Sequence, residues 1–201
     1  MVWYHLFYMR EIYYSRHGIT VDLENGIRNR PDTELTPTGR EEVRATGRQL
    51  LARFIVPKII VCSGLVRARQ SAEEIADVIG FDPAAIIEED LFNERECGIA
   101  VGMRNKEIKR VYPGGFDDVP GAESTEALQA RAAAMAAYLE AFEEDTVLAV
   151  GHGVTGRAIA RHYNGRPYTE EFDRPTRDKV NLKNGQIMRL SPGPVELFPL
   201  D

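Results

Sequence analysis

Residues 146–163 read TVLAVGHGVTGRAIARHY. Thr146–Val150 is a short, largely β-branched apolar run with no polar alternation, the pattern of a strand buried on both faces. After Gly151-His152-Gly153 the apolar spacing becomes helical. A buried strand that runs straight into a helix, with no tight turn to double back, belongs to a mostly parallel sheet covered by helices.

The alternation recurs on both sides of this unit. Ile12–Ser15 ends a strand and is followed by a polar loop, GITVDLENGIRNRPDTE. LTPTGREEVRATGRQLLARF then reads as a helix, with Thr36 as N-cap, Pro37 at the first helical position, and Val43, Leu50, Leu51 and Phe54 as its apolar stripe. KIIVCS, from Lys58 to Ser63, is a second buried strand, and RARQSAEEIADVIG an amphipathic helix closed by Gly80. AIIEE reads as a further strand. NKEIKRVY reads as a short helix halted by Pro113, before a loop rich in Gly, Pro and Asp up to Ala122. A long alanine-rich helix follows Ser124, its cap. In VNLKNGQIMRL, Asn184-Gly185 separates two alternating runs and predicts a hairpin that adds antiparallel strands at a sheet edge.

These elements predict one α/β domain over 1–201. It is a three-layer α/β/α sandwich with a mostly parallel sheet and an antiparallel edge hairpin near the C-terminus. Residues 1–8, rich in aromatics, read as a loose N-terminal extension.

The formal net charge of -6 argues against nucleic acid or an anionic membrane as the main partner. Cys62 and Cys97 have no CxxC spacing and cannot form a disulfide framework, so a reducing, cytoplasmic setting is expected. No apolar run is long enough to span a membrane, and the first residues lack the basic and small-residue marks of a signal peptide.

In parallel sheets, ligands bind beyond the carboxyl ends of the strands. Three such ends carry Arg16-His17-Gly18, Ser63 to Arg67, and Gly151-His152-Gly153. Two histidines and two arginines therefore share one rim. Clustered cations repel unless an anion joins them, and guanidinium groups match phosphate oxygens two at a time. GHGVTG is formally a GxGxxG dinucleotide fingerprint. It lies late in the chain, and no strand with a terminal acid follows at the required distance. A glycine-rich turn at a helix start still offers backbone N–H groups to an anion, which makes Gly153 a candidate phosphate contact. Zinc on His17 and His152 is disfavoured by the nearby arginines and by the lack of ligand spacing, so no metal and no cofactor are expected.

The motifs RHG at Arg16, DTELTPTGRE at Asp32, SGLVRARQSA at Ser63, LFNERECG at Leu91, PGAESTEALQAR at Pro120 and VGHG at Val150 together resemble the histidine phosphatase superfamily, in its phosphoglycerate-mutase-like branch. The resemblance covers most of the chain. It implies that His17 is a nucleophile that becomes phosphohistidine, that Arg16, Arg67 and His152 form the phosphate pocket, and that Glu94 is the proton donor. Where the family often has an Asn after the nucleophile, this chain has Leu23, with Asn25 slightly further on; Thr20 keeps a hydroxyl in that loop and is a candidate phosphate contact. Gly18 is expected to leave room for substrate.

A phosphatase acting on small phosphorylated metabolites is the expected activity. The alternatives are a cofactor-dependent phosphoglycerate mutase, which NERECG resembles, and a non-catalytic phospholigand-binding module. The resemblance implies that dedicated mutases carry longer insertions around the acid loop and a longer C-terminus, which favours the phosphatase. The oligomeric state is open, a dimer included.

Overall fold

The computed structural model describes residues 10–167 and 182–200. The expected extension at 1–8 lies outside them. Six strands form one sheet: β1 (Glu11–Arg16), β2 (Ile59–Cys62), β3 (Ile87–Glu88), β4 (Thr146–Gly151), β5 (Ile187–Ser191) and β6 (Glu196–Leu197), in the order β3-β2-β4-β1-β5-β6. The pairs β1–β4, β2–β4 and β2–β3 are parallel, whereas β1–β5 and β5–β6 are antiparallel. Arg16 pairs with Gly151, and Cys62 with Val150. This register brings the ends of β1, β4 and β2 out at one rim.

The helices are α1 (Val21–Glu24), α2 (Pro37–Ala52), α3 (Val66–Ile79), α4 (Asn105–Val111), α5 (Thr125–Glu140) and α6 (Gly153–Tyr163). On one face of the sheet, Val43 and Leu50 of α2 and Ala72, Ile75 and Ala76 of α3 share a core with Tyr13, Ile60, Cys62, Leu148 and Val150. On the other, Met135 and Leu139 of α5 and Ile159 and Ala160 of α6 pack with Ile12, Tyr14, Val61, Val147 and Ala149. Successive residues of the central strands thus enter opposite cores, which is why those strands read as unbroken apolar runs.

Caps act where the sequence places them. The hydroxyls of Thr36 and Ser124 accept the N–H groups of Gly39 and Ala127, and Gly80 closes α3 in the left-handed region. The expected apolar stripe of α2 is half right. Val43 and Leu50 are buried with Thr46 and Gly47, the true i, i+3, i+4, i+7 set, while Leu51 points away and is 41% exposed. Phe54 lies beyond the helix, at φ 60°, and is 93% exposed.

The hairpin is also displaced. Asn184 and Gly185 do form a turn, with Gly185 at φ 65°. Its leading arm at Val180 and Asn181 lies outside the described residues, and Leu182 and Lys183 are in no strand. The antiparallel edge is built instead by β5 against β1 and by β6 against β5. The turn has another use: the Gly185 N–H donates to the carbonyls of Arg16 and His17 (3.2 and 3.3 Å), and Asn184 Nδ2 donates to the His17 carbonyl at 3.0 Å. No helix among the described residues is long and apolar enough to cross a membrane.

Candidate active site

His17 is the first residue past β1. Its N–H donates to the Gly151 carbonyl at 2.9 Å, so the β1–β4 ladder runs on through it. With its own carbonyl held by the 184–185 turn, the backbone of His17 is fixed on both sides. The ring nitrogen Nδ1 lies 2.7 Å from the Gly18 carbonyl. A carbonyl can only accept, so Nδ1 bears the hydrogen and Nε2 keeps its lone pair. Burial, then the charges of Arg67 and Arg16, hold this imidazole well below the usual histidine range, so it is neutral near pH 7. Gly18 does not serve substrate clearance as expected. A Cβ there would stand 2.1 Å from the Gly39 carbonyl oxygen, so the glycine lets the start of α2 approach the loop.

The His152 ring stands 5.1 Å from that of His17, centroid to centroid, and is fully buried. It sits behind the cleft that His17 lines. Tyr14 of β1 grips its backbone: the phenol accepts from the His152 N–H at 2.6 Å and donates to its carbonyl at 3.0 Å. His152 Nε2 lies 2.8 Å from Ser63 Oγ, and its Nδ1 is buried without a partner. The glycines of GHGVTG follow from these contacts. Side chains at Gly151 or Gly156 would collide with the Tyr14 ring, and one at Gly153 would press on the Arg16 guanidinium at 3.2 Å. The glycine pattern makes room for residues of β1, and no dinucleotide is needed to explain it.

Two arginines line the cleft with His17. Arg16 gives Nη1 to the Leu182 carbonyl (2.9 Å) and Arg67, on the first turn of α3, gives Nη1 to the Arg30 carbonyl (3.1 Å). In both, Nε is buried with no partner among the described residues. Burial pushes Arg67 down to about 10, still charged at neutral pH. Clusters of this kind, with unsatisfied donors turned inward, suit a multivalent anion.

Residues 20–33 supply a further wall of the cleft. Arg28, Asn29 and Pro31 line the cleft, which opens to solvent. Arg28 lies 4.6 Å over the face of Phe116, and its Nε donates to Cys97 Sγ at 3.3 Å. Thr20 is a cap, not a cleft residue. Its hydroxyl accepts from the Leu23 N–H and gives its proton to Asn29 Oδ1 at 2.6 Å, which leaves no donor for phosphate. With Oδ1 engaged, Asn29 has only its NH₂ donors left. Asn25 instead caps α1, donating to the Val21 carbonyl. The loop is held from inside by Asp22, 1% exposed, which accepts from the N–H, Nε and Nη2 of Arg30 (2.9, 3.1 and 2.5 Å) and from the Thr33 hydroxyl. Asp22 thereby fixes the carbonyl on which Arg67 rests. A buried acid followed by Arg and Thr at eight and eleven residues has no signature in sequence.

Glu94 also lines the cleft, on the far side of a 3-10 turn at Asp90–Phe92. Its carboxylate accepts from the N–H groups of Arg95 (3.0 Å), Val154 (3.3 Å) and Thr155 (3.2 Å) and from the Thr155 hydroxyl (3.2 Å). The N–H groups of Val154 and Thr155, in the first turn of α6, are therefore on Glu94, and Gly153 supplies space for Arg16. Burial pushes the Glu94 carboxyl up, but the Arg28 charge and these N–H donors outweigh it and hold it below the usual carboxylate range. A raised pKa, the expectation for a proton donor, is not the state of this site. Arg95 is buried and bound to Asp117 (2.7 Å) and to the Glu123 carbonyl (2.8 Å). Arg131 of α5 pairs with both oxygens of Glu123 (2.8 and 2.6 Å) and holds the Leu91 and Asn93 carbonyls (2.9 and 2.6 Å). Glu96 is exposed on the cleft rim. Among the described residues, no group of three His, Cys, Asp or Glu side chains is arranged to hold a metal ion.

Comparison with known proteins accords with this geometry. The family model for the histidine phosphatase superfamily (branch 1) matches residues 12–191. The uncharacterized phosphatase PhoE of Bacillus subtilis is 32% identical over 152 residues, 75% of each chain. A 2,3-bisphosphoglycerate-dependent phosphoglycerate mutase of Mesorhizobium japonicum is 28% identical over 172 residues, 78% of this chain and 82% of the mutase. Among solved structures, the open reading frame Rv3214 product of Mycobacterium tuberculosis superposes with a TM-score of 0.75 over 95% of this chain and 96% of its own, at 24% identity, a likeness of fold. With a family match that spans nearly the whole described sheet and relatives that are phosphatases and mutases, the chain belongs to the histidine phosphatase superfamily and is an enzyme of its first branch.

Proposed function

We propose that the protein is a metal-independent phosphatase that hydrolyses small phosphomonoesters through a phosphohistidine on His17. One observation carries this: a neutral imidazole with its Nε2 lone pair fixed by Nδ1–H to the Gly18 carbonyl, beside two arginines whose Nε donors are unmatched. In the first step Nε2 attacks phosphorus and the bond to the leaving oxygen breaks. Arg16, Arg67 and the Asn29 amide meet the charge on the equatorial oxygens, in place of a metal ion. Glu94 gives its proton to the leaving oxygen. It is ionised without substrate because cations surround it; a phosphoryl dianion offsets those cations, and its carboxyl becomes easier to protonate. In the second step Glu94 takes a proton from water, the water oxygen attacks phosphorus, and the Nε2–P bond breaks to release orthophosphate and neutral His17.

The test is to mix the protein with a phosphomonoester labelled in its phosphoryl group, quench rapidly and map the label. Acid-labile, base-stable phosphate on His17, absent from His17→Ala, is expected. Full turnover by His17→Ala overturns the proposal, and activity lost to a chelator and restored by a divalent ion overturns its metal independence. The mutase relatives support a second reading in which a phosphoglycerate, not water, takes the phosphoryl group. Monophosphoglycerate with a bisphosphoglycerate primer separates the two: the phosphatase releases phosphate faster than it isomerises. The retained His17 and Glu94 count against a silent binding module.

A further inference from the structure

His152 is linked to the surface by three polar side chains, and their order of donors and acceptors can be read without ambiguity. Asp90 Oδ1 accepts from Asn93 Nδ2 at 3.0 Å, and a carboxylate only accepts, so Asn93 turns its Oδ1 the other way. That oxygen accepts the Ser63 hydroxyl at 2.6 Å. Ser63 Oγ has now given its one proton and also accepts the Leu65 N–H at 3.2 Å. Its remaining lone pair meets His152 Nε2 at 2.8 Å, so Nε2 must be the donor. A neutral His152 therefore has its hydrogen on Nε2 and a bare lone pair on Nδ1, the buried atom without a partner.

A lone pair there repels an anion bound beside His17. We propose that Ser63 and Asn93 are positioning residues that lock His152 in this tautomer, so that binding of a tetrahedral dianion is coupled to uptake of one proton at His152 Nδ1. This rests on the proposed phosphate site. The groups facing His152 explain the direction. Arg67 from α3, Arg16 and Tyr14 from β1, and His17 next to it present positive or neutral faces, while Glu94 is the one acid. Burial, then Arg67, keep the imidazole uncharged. A dianion among the same arginines offsets their charge and makes the imidazolium, now a donor from both nitrogens, the favoured form.

Calorimetry with sulfate, which does not titrate near neutrality, isolates the protein's proton. Binding enthalpy measured at pH 7.5 in buffers of different ionisation heat gives the number of protons taken up. About one per sulfate is expected in Glu94→Gln, whose side chain takes up no proton of its own, with affinity falling up to tenfold per pH unit as pH rises. Ser63→Ala removes the acceptor that holds Nε2–H. Asn93→Ala frees the Ser63 hydroxyl to donate to Nε2. Either variant lets the hydrogen move to Nδ1, so uptake falls towards zero and affinity loses its pH dependence. Both alanine variants are made in the Glu94→Gln background. Sulfate binding to Glu94→Gln with no uptake, or unchanged uptake in both alanine variants, overturns the inference. Absence of any sulfate or orthovanadate binding overturns the phosphate site itself. A purely structural role for Ser63 would lower stability and leave the proton count at one.

Discussion

The two sides of the cleft are made in different ways. On the strand side, Arg16, His17 and His152 stand at the ends of β1 and β4, and a ladder of backbone hydrogen bonds puts them there. On the loop side, Arg28, Asn29 and Glu94 come from segments with only a four-residue helix and 3-10 turns. These are held by buried or half-buried ion pairs: Asp22 with Arg30, Glu123 with Arg131, and Arg95 with Asp117. A ladder tolerates loss of any one side chain. A loop stapled by charge does not, because removing one partner leaves the other buried and uncompensated.

The largest effect that separates the sides is chemical. Glu94→Gln keeps the shape of the acid and most of its N–H contacts but has no proton to give. Phosphoenzyme formation from an alkyl phosphate should fall by roughly 10²–10⁴-fold, and formation from a nitrophenyl phosphate much less, since that leaving group needs no proton. Rapid-mixing kinetics on both substrates decides it. Equal losses would make Glu94 a structural member of the loop, and a selective loss in Glu96→Gln would move the acid by two residues.

Next in size is the staple behind Glu94. Arg131→Met leaves the Glu123 carboxylate and the Leu91 and Asn93 carbonyls without their donor. A loss of roughly 3 kcal/mol is expected in denaturant unfolding, with turnover of alkyl phosphates falling more than that of nitrophenyl phosphate. Arg48→Gln breaks an exposed pair with Glu41 and should change stability by no more than about 1 kcal/mol. Similar losses in the two variants would remove the distinction between stapled loop and solvated surface.

The same contrast explains what could be read in the sequence. Strand side chains follow from periodicity and from the rule that ligands sit at strand ends, so His17, Arg16, Arg67 and His152 were visible as a group before any family likeness. Thr36, Gly80 and Ser124 were legible because caps act over three or four residues. The loop side depends on contacts that local patterns do not encode. Arg28 reads as one cation in a polar loop, and only folding brings it over Phe116. Thr20 was credited with a phosphate contact because its hydroxyl was visible, while its partner Asn29 was not. The helix-start rule assigns Gly153 to an anion; the N–H groups of Val154 and Thr155 that follow it go to Glu94 of this chain. The stripe of α2 failed at Leu51 and Phe54 because hydrophobicity was counted without the rotation that Thr46 and Gly47 set.

The smallest effect sharpens the comparison through pH. His17 and His152 belong to the strand side and are kept neutral by burial, then by Arg67. Below about pH 6.5 the unfolded chain protonates both and the folded one does not, so stability falls as pH drops from 7. Asp22 belongs to the loop side, and its carboxyl is lowered from 3.8 to about 2: burial raises it, but the Arg30 donors and the Thr33 hydroxyl outweigh burial. Its contribution is also lost as pH falls, but in another window. It is complete above about pH 4 and is lost as pH falls towards 2, because there the unfolded carboxyl is protonated first. A shift of this size corresponds to about 2 kcal/mol. Asp22→Asn should therefore lower stability by a nearly constant amount from pH 8 to about 4.5, with the difference from wild type shrinking below pH 4. The decline that starts near pH 6.5 should be the same in both proteins. Because Asp22 also fixes the carbonyl that supports Arg67, the variant's affinity for orthovanadate should fall as well, by roughly tenfold for one misplaced charged hydrogen bond. Urea unfolding across this pH range, with vanadate inhibition at pH 7, measures both. A gap between Asp22→Asn and wild type that opens at pH 6.5 would place Asp22 in the histidine cluster, and unchanged vanadate affinity would show that Arg67 keeps its aim without the loop.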